Sequence, residues 1–149
     1  MGEDKLEAYD FSQQVGYLLR RAYQRHLAIF QANASDDQLT SVQFATLCAL
    51  RDHGAQSQSE LVKATSIDQA TIRGIVERLK DRNLISLSRD HEDGRKVIIA
   101  LTNDGEELLD RMIPHARTIT ERTMGHLNPA ERLALIHTLR LMIESDDVE

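Results

Sequence analysis

The feature that most constrains this chain is a change of hydrophobic period near Ile85. Before it, the apolar residues recur at helical spacing. From it, Ile85 and Leu87 alternate with Ser86 and Ser88, and Val97, Ile99 and Leu101 form a second alternating run. Between the runs lies Asp90-His91-Glu92-Asp93-Gly94-Arg95, a polar stretch with a turn-forming Asp-Gly pair. Two period-2 runs joined in this way predict a β-hairpin. It is the one strong strand signal in the chain, so the expected fold class is mainly α with a small β-hairpin.

The helices on either side announce their ends. Over residues 9–31, Phe11, Val15, Leu18, Ala22 and Phe30 fall on one helical face, widened by Leu19, Tyr23, His26 and Leu27. Residues 33–38 are polar and read as a loop. Thr40-Ser41-Val42-Gln43 has the form of a capping box and opens a helix with Phe44, Leu47 and Cys48 inward. Gly54 supplies its left-handed stop. Ser57-Gln58-Ser59-Glu60 repeats the capping pattern ahead of Leu61 and Val62, and Thr65-Ser66 breaks that short helix. The next runs over residues 68–82, burying Ile72, Ile75, Val76 and Leu79, and Asn83 leaves it in a conformation that asparagine tolerates almost as glycine does.

After the hairpin, Thr102-Asn103-Asp104 caps a long helix with Leu108, Leu109, Met112, Ile113 and Ile119 on one side. Pro114 falls inside it and predicts a kink or break. Asn128-Pro129-Ala130-Glu131 starts the last helix, striped by Leu133, Ile136, Leu139 and Ile143. The order is four helices, a hairpin, two helices.

Composition excludes several classes. The chain has 149 residues, 41% hydrophobic and 28% charged, the balance of one globular domain with its own core. No apolar run approaches the roughly 18–20 residues of a membrane span. Met1-Gly2-Glu3-Asp4-Lys5 lacks the basic and apolar blocks of a secretory signal, and Cys48 is the sole cysteine, so no intrachain disulfide forms. These features predict a cytoplasmic protein. The six histidines are scattered, with no H-E-x-x-H spacing, no phosphate loop and no G-x-S-x-G, so neither an enzyme nor a bound cofactor is expected.

The net charge of −6 argues against nucleic acid only as an average. Residues 69–97 hold seven Lys/Arg against five acids, a surplus of two, which leaves −8 for the remainder. Within that basic third, two short helices joined by a tight turn and followed by a hairpin are the parts of a winged helix-turn-helix. The second helix of such a pair fits the DNA major groove. On it, packing leaves Gln69, Thr71, Arg73, Gly74, Glu77 and Arg78 unused. Glutamine suits adenine and arginine suits guanine, and Gly74, which costs roughly 1 kcal/mol of helix propensity, suits close approach from outside. The plainer alternative is that these residues form the wet side of an ordinary helix.

A resemblance decides between them. The run from Asp68 through Thr71, Ile75, Val76 and Leu79 to Asn83-Leu84-Ile85, then Arg89…Asp93-Gly94-Arg95, then Leu101-Thr102-Asn103-Asp104-Gly105, resembles the MarR (multiple antibiotic resistance regulator) family. The family pattern has glycine where this chain has Asn83. The resemblance implies a single domain over residues 1–149, with a winged helix-turn-helix at 40–101 and dimerisation helices at 9–35 and 103–149. It implies a transcription regulator, most often a repressor, on a palindromic double-stranded site, whose two recognition helices lie about one DNA turn apart. Ser66, Gln69, Ala70, Thr71 and Arg73 would face base edges or nearby phosphates. Arg95, oriented by Asp93, would enter the minor groove, and Arg78, Arg89 and Lys96 would touch phosphates.

The resemblance also implies release of DNA by a small aromatic acid held between the first, second and fifth helices. The candidates are Tyr17, Arg20, Arg21 and Tyr23, then Phe44 and Cys48, then His115, with Arg20 placed to pair a carboxylate. On the other reading Arg20 and Arg21 are surface residues and the tyrosines are packing. The segment from Val15 to Tyr23 is similar to family members that regulate nicotinate catabolism, which points to a hydroxylated pyridine carboxylate. Three alternatives stay open: a metal trigger at His91 with Asp90, Glu92 and Asp93; a thiol trigger at Cys48; and a dimeric adaptor that keeps the fold without binding DNA. Against the second, Cys48 lies on an inward face, whereas a sensing thiol must be exposed and of low pKa. Against the third stand Arg73, Arg95 and Lys96.

Overall fold

The computed structural model describes residues 8–145; the amino-terminal pentapeptide and the last residues of the 103–149 segment lie outside the described residues. Among those described, the elements follow the expected order: α1 (Val15–Asn33), α2 (Ser41–His53), α3 (Gln58–Thr65), α4 (Gln69–Asp81), β1 (Ile85–Arg89), β2 (Val97–Leu101), α5 (Asn103–Met124) and α6 (Pro129–Ile143). The first helix starts later than its periodicity predicts. Asp10 accepts hydrogen bonds from the Ser12 amide at 3.0 Å and the Ser12 hydroxyl at 2.6 Å, which winds Phe11–Gln13 into a 3-10 turn, and Gln14 is extended.

Elsewhere the caps act as their residues predict. Thr40 and Gln43 exchange side-chain and backbone hydrogen bonds, each 3.2 Å, so two orphan amides of α2 are satisfied at once. Gly54 ends that helix at φ 77°. Asn128 and Glu131 form the same reciprocal pair at the start of α6. Asn83 adopts φ 59°, the left-handed turn its position calls for.

The core lies where α2, α3, α4, the hairpin and α5 meet. Leu47, Leu61, Ile72, Leu79, Ile85, Ile99, Leu109, Met112 and Ile119 are all fully buried there. Burying each such side chain is worth roughly 1.5–3 kcal/mol. The hairpin is antiparallel, in a register that sets Ile85 opposite Leu101 and Arg89 opposite Val97. Ile99 also exchanges backbone hydrogen bonds of 2.9 and 2.8 Å with Gln56, which adds a short third rung to the wing's root.

Helix α5 runs unbroken across Pro114, correcting the expectation of a break. The proline side chain is exposed and only one backbone bond is lost, which water can replace on that side. Its first turn is cinched to the hairpin. The Thr102 hydroxyl donates to the Asn83 carbonyl at 2.6 Å and accepts from the Gly105 amide at 3.1 Å. The Leu84 carbonyl accepts from the Thr102 amide at 3.1 Å. A Cβ on Gly105 would strike that same Leu84 oxygen, so the motif Leu-Thr-x-x-Gly records a backbone contact that only glycine permits.

Helices α1 and α5 pack extensively together, whereas α6 has no broad contact with any other described element of its own chain. It is held at its root by Arg132, which donates to the carbonyls of Leu127 at 3.0 Å and Gly125 at 3.1 Å and pairs with Glu121. Leu133 is 76% exposed and Ile143 79%. On α1, Val15, Leu18, Leu19, Tyr23 and Leu27 are exposed as well.

Candidate nucleic-acid interface and effector cavity

The helix-turn-helix is built by local chemistry. Ser57 caps α3, its hydroxyl accepting from the Glu60 amide at 3.3 Å. Ser66 ends that helix at φ 57°, ψ 24°, and so turns the chain into α4. Asp68 caps α4, accepting from the Thr71 amide at 2.9 Å and the Thr71 hydroxyl at 2.7 Å. These bonds, the hydroxyl's first, hold the Asp68 carboxyl below its usual pKa. The Thr71 hydroxyl proton is therefore committed to Asp68, which leaves its oxygen as an acceptor and its methyl as an apolar surface.

Helix α4 buries Ile72, Ile75, Val76 and Leu79, which turns Gln69, Ala70, Arg73 and Glu77 to solvent. Among the described residues the Gln69 amide and the Arg73, Arg78 and Arg95 guanidinium groups have no hydrogen-bond or ion-pair partner. A Cβ on Gly74 would meet nothing within 4 Å, so packing within the chain does not require glycine there.

The wing carries three of the predicted contacts in a more constrained state. Arg89 donates to the Gly94 carbonyl at 2.8 Å and closes the wing loop. Asp93 acts on Arg95 through the main chain, its carboxylate accepting the Arg95 amide at 3.1 Å. Lys96 pairs with Glu60 of α3 at 3.1 Å. That contact raises the lysine pKa and lowers the glutamate's. Of the candidate metal trigger, the Asp90 carboxylate accepts the Glu92 amide at 3.2 Å, as Asp93 does that of Arg95, and among the described residues no three His, Cys, Asp or Glu side chains group as metal ligands.

A cavity of about 450 Å³ opens between α1, α2, α3 and α5, within the size range of small-molecule sites. His26 and Phe30 face it from α1, Ser41, Phe44, Cys48, Asp52 and His53 from α2, Thr65 from α3, and Ile119 and Thr120 from α5. Phe30 and Phe44 meet with ring centroids 5.9 Å apart. Of the candidate ligand residues, Phe44 and Cys48 line this space. The other five do not. Arg21 donates to the Tyr17 hydroxyl at 2.9 Å, Arg20 is exposed on α1, Tyr23 stacks on the outer side of His26 at 6.2 Å, and the His115 ring nitrogen bonds the Asn33 carbonyl at 3.1 Å.

His26 and Phe30 were legible as part of the α1 apolar stripe. A histidine within such a stripe is the signal that points to the cavity. Burial lowers the His26 pKa. Burial also pushes the Cys48 thiol up to about 11, with Asp52 adding to the rise and Arg51 opposing it. The thiol is protonated at neutral pH and suits packing rather than oxidant sensing.

The MarR family model matches residues 39–97, the stretch from the end of the α1–α2 loop to the wing. The chain is 65% identical over 139 residues to the helix-turn-helix transcriptional repressor NicR of Pseudomonas putida, covering 93% of this chain and 88% of that one. It is similar to a solved structure of Bordetella bronchiseptica BpsR, a protein whose DNA binding is regulated by 6-hydroxynicotinic acid, with TM-score 0.86 and 55% identity over 92% of this chain and 98% of that one. The repressor CouR, solved on a 23-mer DNA duplex, superposes with TM-score 0.81 at 28% identity, over 89% of this chain and 94% of CouR. With the winged helix-turn-helix in place and a regulator matched along nearly its whole length, this chain belongs to the MarR family of transcriptional regulators.

Proposed function

We propose that this protein is a homodimeric repressor that leaves a palindromic operator when a hydroxylated pyridine carboxylate enters the cavity between α1, α2, α3 and α5. The observation that carries the DNA reading is the row of unpaired polar groups on the outer face of α4, Gln69 and Arg73, beside Arg95 on the wing. In the working division, residues 40–101 read DNA, and 9–35 with 103–149 pair with a second copy. Gln69 and Arg73 contact base edges, Ala70 and the Thr71 methyl lie against the groove floor, and Arg95 enters the minor groove. Ser66, Arg78, Arg89 and Lys96 hold phosphates, Lys96 by exchanging Glu60 for the backbone.

The cavity's walls support the effector reading. Because α1 and α5 belong to the pairing part and α2 and α3 to the reading part, a molecule wedged among them changes the angle between the two. An aromatic ring fits against Phe30 and Phe44, and its carboxylate finds donors in Ser41, His53 and Thr120. A repressor of chromosomal genes works in the cytoplasm, and no described helix is long and apolar enough to cross a membrane.

The test is selection of DNA fragments by the purified protein, with and without 6-hydroxynicotinate. An inverted repeat with half-sites about one turn apart should be enriched, its affinity falling steeply with salt, and the effector should abolish enrichment. Failure to enrich any sequence, or enrichment indifferent to salt, overturns the DNA reading; enrichment indifferent to effector overturns the ligand.

A further inference from the structure

We infer that His26 reads the effector's ring by accepting a hydrogen bond at Nε2, so that the cavity selects ring acids that present an N–H or O–H donor over those that do not. This rests on the effector reading above. The argument starts from one hydroxyl proton. The Thr123 hydroxyl donates to the Ile119 carbonyl at 2.8 Å, and a threonine hydroxyl has only one hydrogen to give. Its oxygen also lies 3.0 Å from His26 Nδ1. With the threonine proton committed, Nδ1 is the donor in that contact. A neutral imidazole protonated at Nδ1 carries its lone pair on Nε2. Burial favours the neutral ring. Nε2 has no partner among the described residues, and His26 forms part of the cavity wall.

His26, a wall residue of the cavity, thus keeps a free acceptor at Nε2, and on this inference the lone pair meets the ligand. Nicotinate, whose ring nitrogen is itself an acceptor, would set lone pair against lone pair. The 6-hydroxy compound in its pyridone form offers a ring N–H beside a carbonyl, and that hydrogen completes the chain from ligand through imidazole and Thr123 to the Ile119 carbonyl. The other titratable groups around the cavity come from α2: Asp52, His53 and the protonated Cys48. The α3 and α5 walls contribute alanine, threonine and isoleucine only. On α1, Tyr23 stacks on His26 with ring centroids 6.2 Å apart, and Arg25, which does not line the cavity, donates to the carbonyls of Arg122 at 2.8 Å and Thr123 at 3.2 Å.

The experiment has two arms on the full-length protein. Nitrogen NMR of the imidazoles at neutral pH should find His26 protonated at Nδ1 and bare at Nε2; the opposite tautomer overturns the inference. Calorimetric titrations would use 6-hydroxynicotinate, nicotinate and 6-methoxynicotinate, the last lacking the donor. The wild type should favour the hydroxy compound by at least about tenfold. His26→Phe should bring the three within about twofold, and His26→Gln, which restores an acceptor, should recover part of the preference. Wild-type affinity for the hydroxy compound should be flat above the ordinary histidine pKa of 6.5 and weaken as pH falls below it, because protonation removes the lone pair. Affinity that strengthens on acidification would mean a carboxylate paired with imidazolium, and would overturn the inference. Equal binding of all three compounds by the wild type leaves the effector reading standing and removes His26's role. Binding of none removes both.

Discussion

Two surfaces of this molecule are exposed for opposite reasons. The outer face of α4 and the tip of the wing are polar: Gln69, Arg73, Arg78 and Arg95 rest in water with no partner among the described residues. The outer faces of α1 and α6 are apolar, with Val15 61%, Leu133 76% and Ile143 79% exposed. A polar face loses nothing by waiting in solvent, whereas an apolar one forgoes about 25 cal/mol for each Å² left uncovered. On the proposed reading the DNA-facing part is finished within a single chain, whereas the α1 and α6 faces, α6 lacking broad contacts with the other described elements, are the ones a second copy would cover.

The largest expected effect comes from breaking that difference on the apolar side. Leu133→Asp combined with Ile143→Asp should give a folded monomer by light scattering, and affinity for the full palindrome should fall by about 10²–10⁴ as the two-headed grip is lost. A double variant that stays dimeric would show that α6 is not the pairing surface.

Gly105→Ala should damage both surfaces together, since the added methyl meets the Leu84 carbonyl; we expect about 1–3 kcal/mol less unfolding free energy by denaturant titration. On the polar side alone, Arg95→Ala should weaken operator binding by about 1–3 kcal/mol in gel shifts while the dimer and its melting temperature hold. Arg73→Ala should in addition relax base preference at one position per half-site, seen on a panel of single-base operator variants.

Gly74→Ala sharpens the contrast most finely. It should stabilise the free protein by up to about 1 kcal/mol, since nothing of the chain stands in the way, yet weaken specific DNA binding. A gain in both would mean that no surface approaches there. Smallest of all, peroxide should leave operator affinity unchanged, because a thiol with a pKa near 11 offers almost no thiolate.

What could be read from the residues was what neighbours in the chain decide. Thr40, Ser57, Asp68, Thr102 and Asn128 each cap the helix that follows within three residues, and the alternation at Ile85 and Val97 marks the hairpin by itself. The face of α4 followed from its 3.6-residue period. The cavity was harder, because its lining converges from four helices separated by up to about a hundred residues. Of the ligand candidates only Phe44 and Cys48 line it, while Tyr17 and Arg21 bond one another, Arg20 is exposed and Tyr23 stacks on His26. Lys96 looked free because nothing local reveals Glu60, thirty-six positions earlier. Pro114 looked disruptive because sequence alone does not say that its side of the helix is wet. Asp10 shortened α1 through a turn with Ser12 that competes with helical bonding.

The cinch at Thr102 and Gly105 has a mechanical consequence. With the first turn of α5 locked onto Asn83 and Leu84, the hairpin and the long helix swing as one crank rather than as a stem with a loose flap. On the proposed reading, a small tilt of that helix at a subunit seam would carry Arg95 at the far tip with it, and the spacing between two grips on the duplex would be the quantity that a molecule beside α5 adjusts.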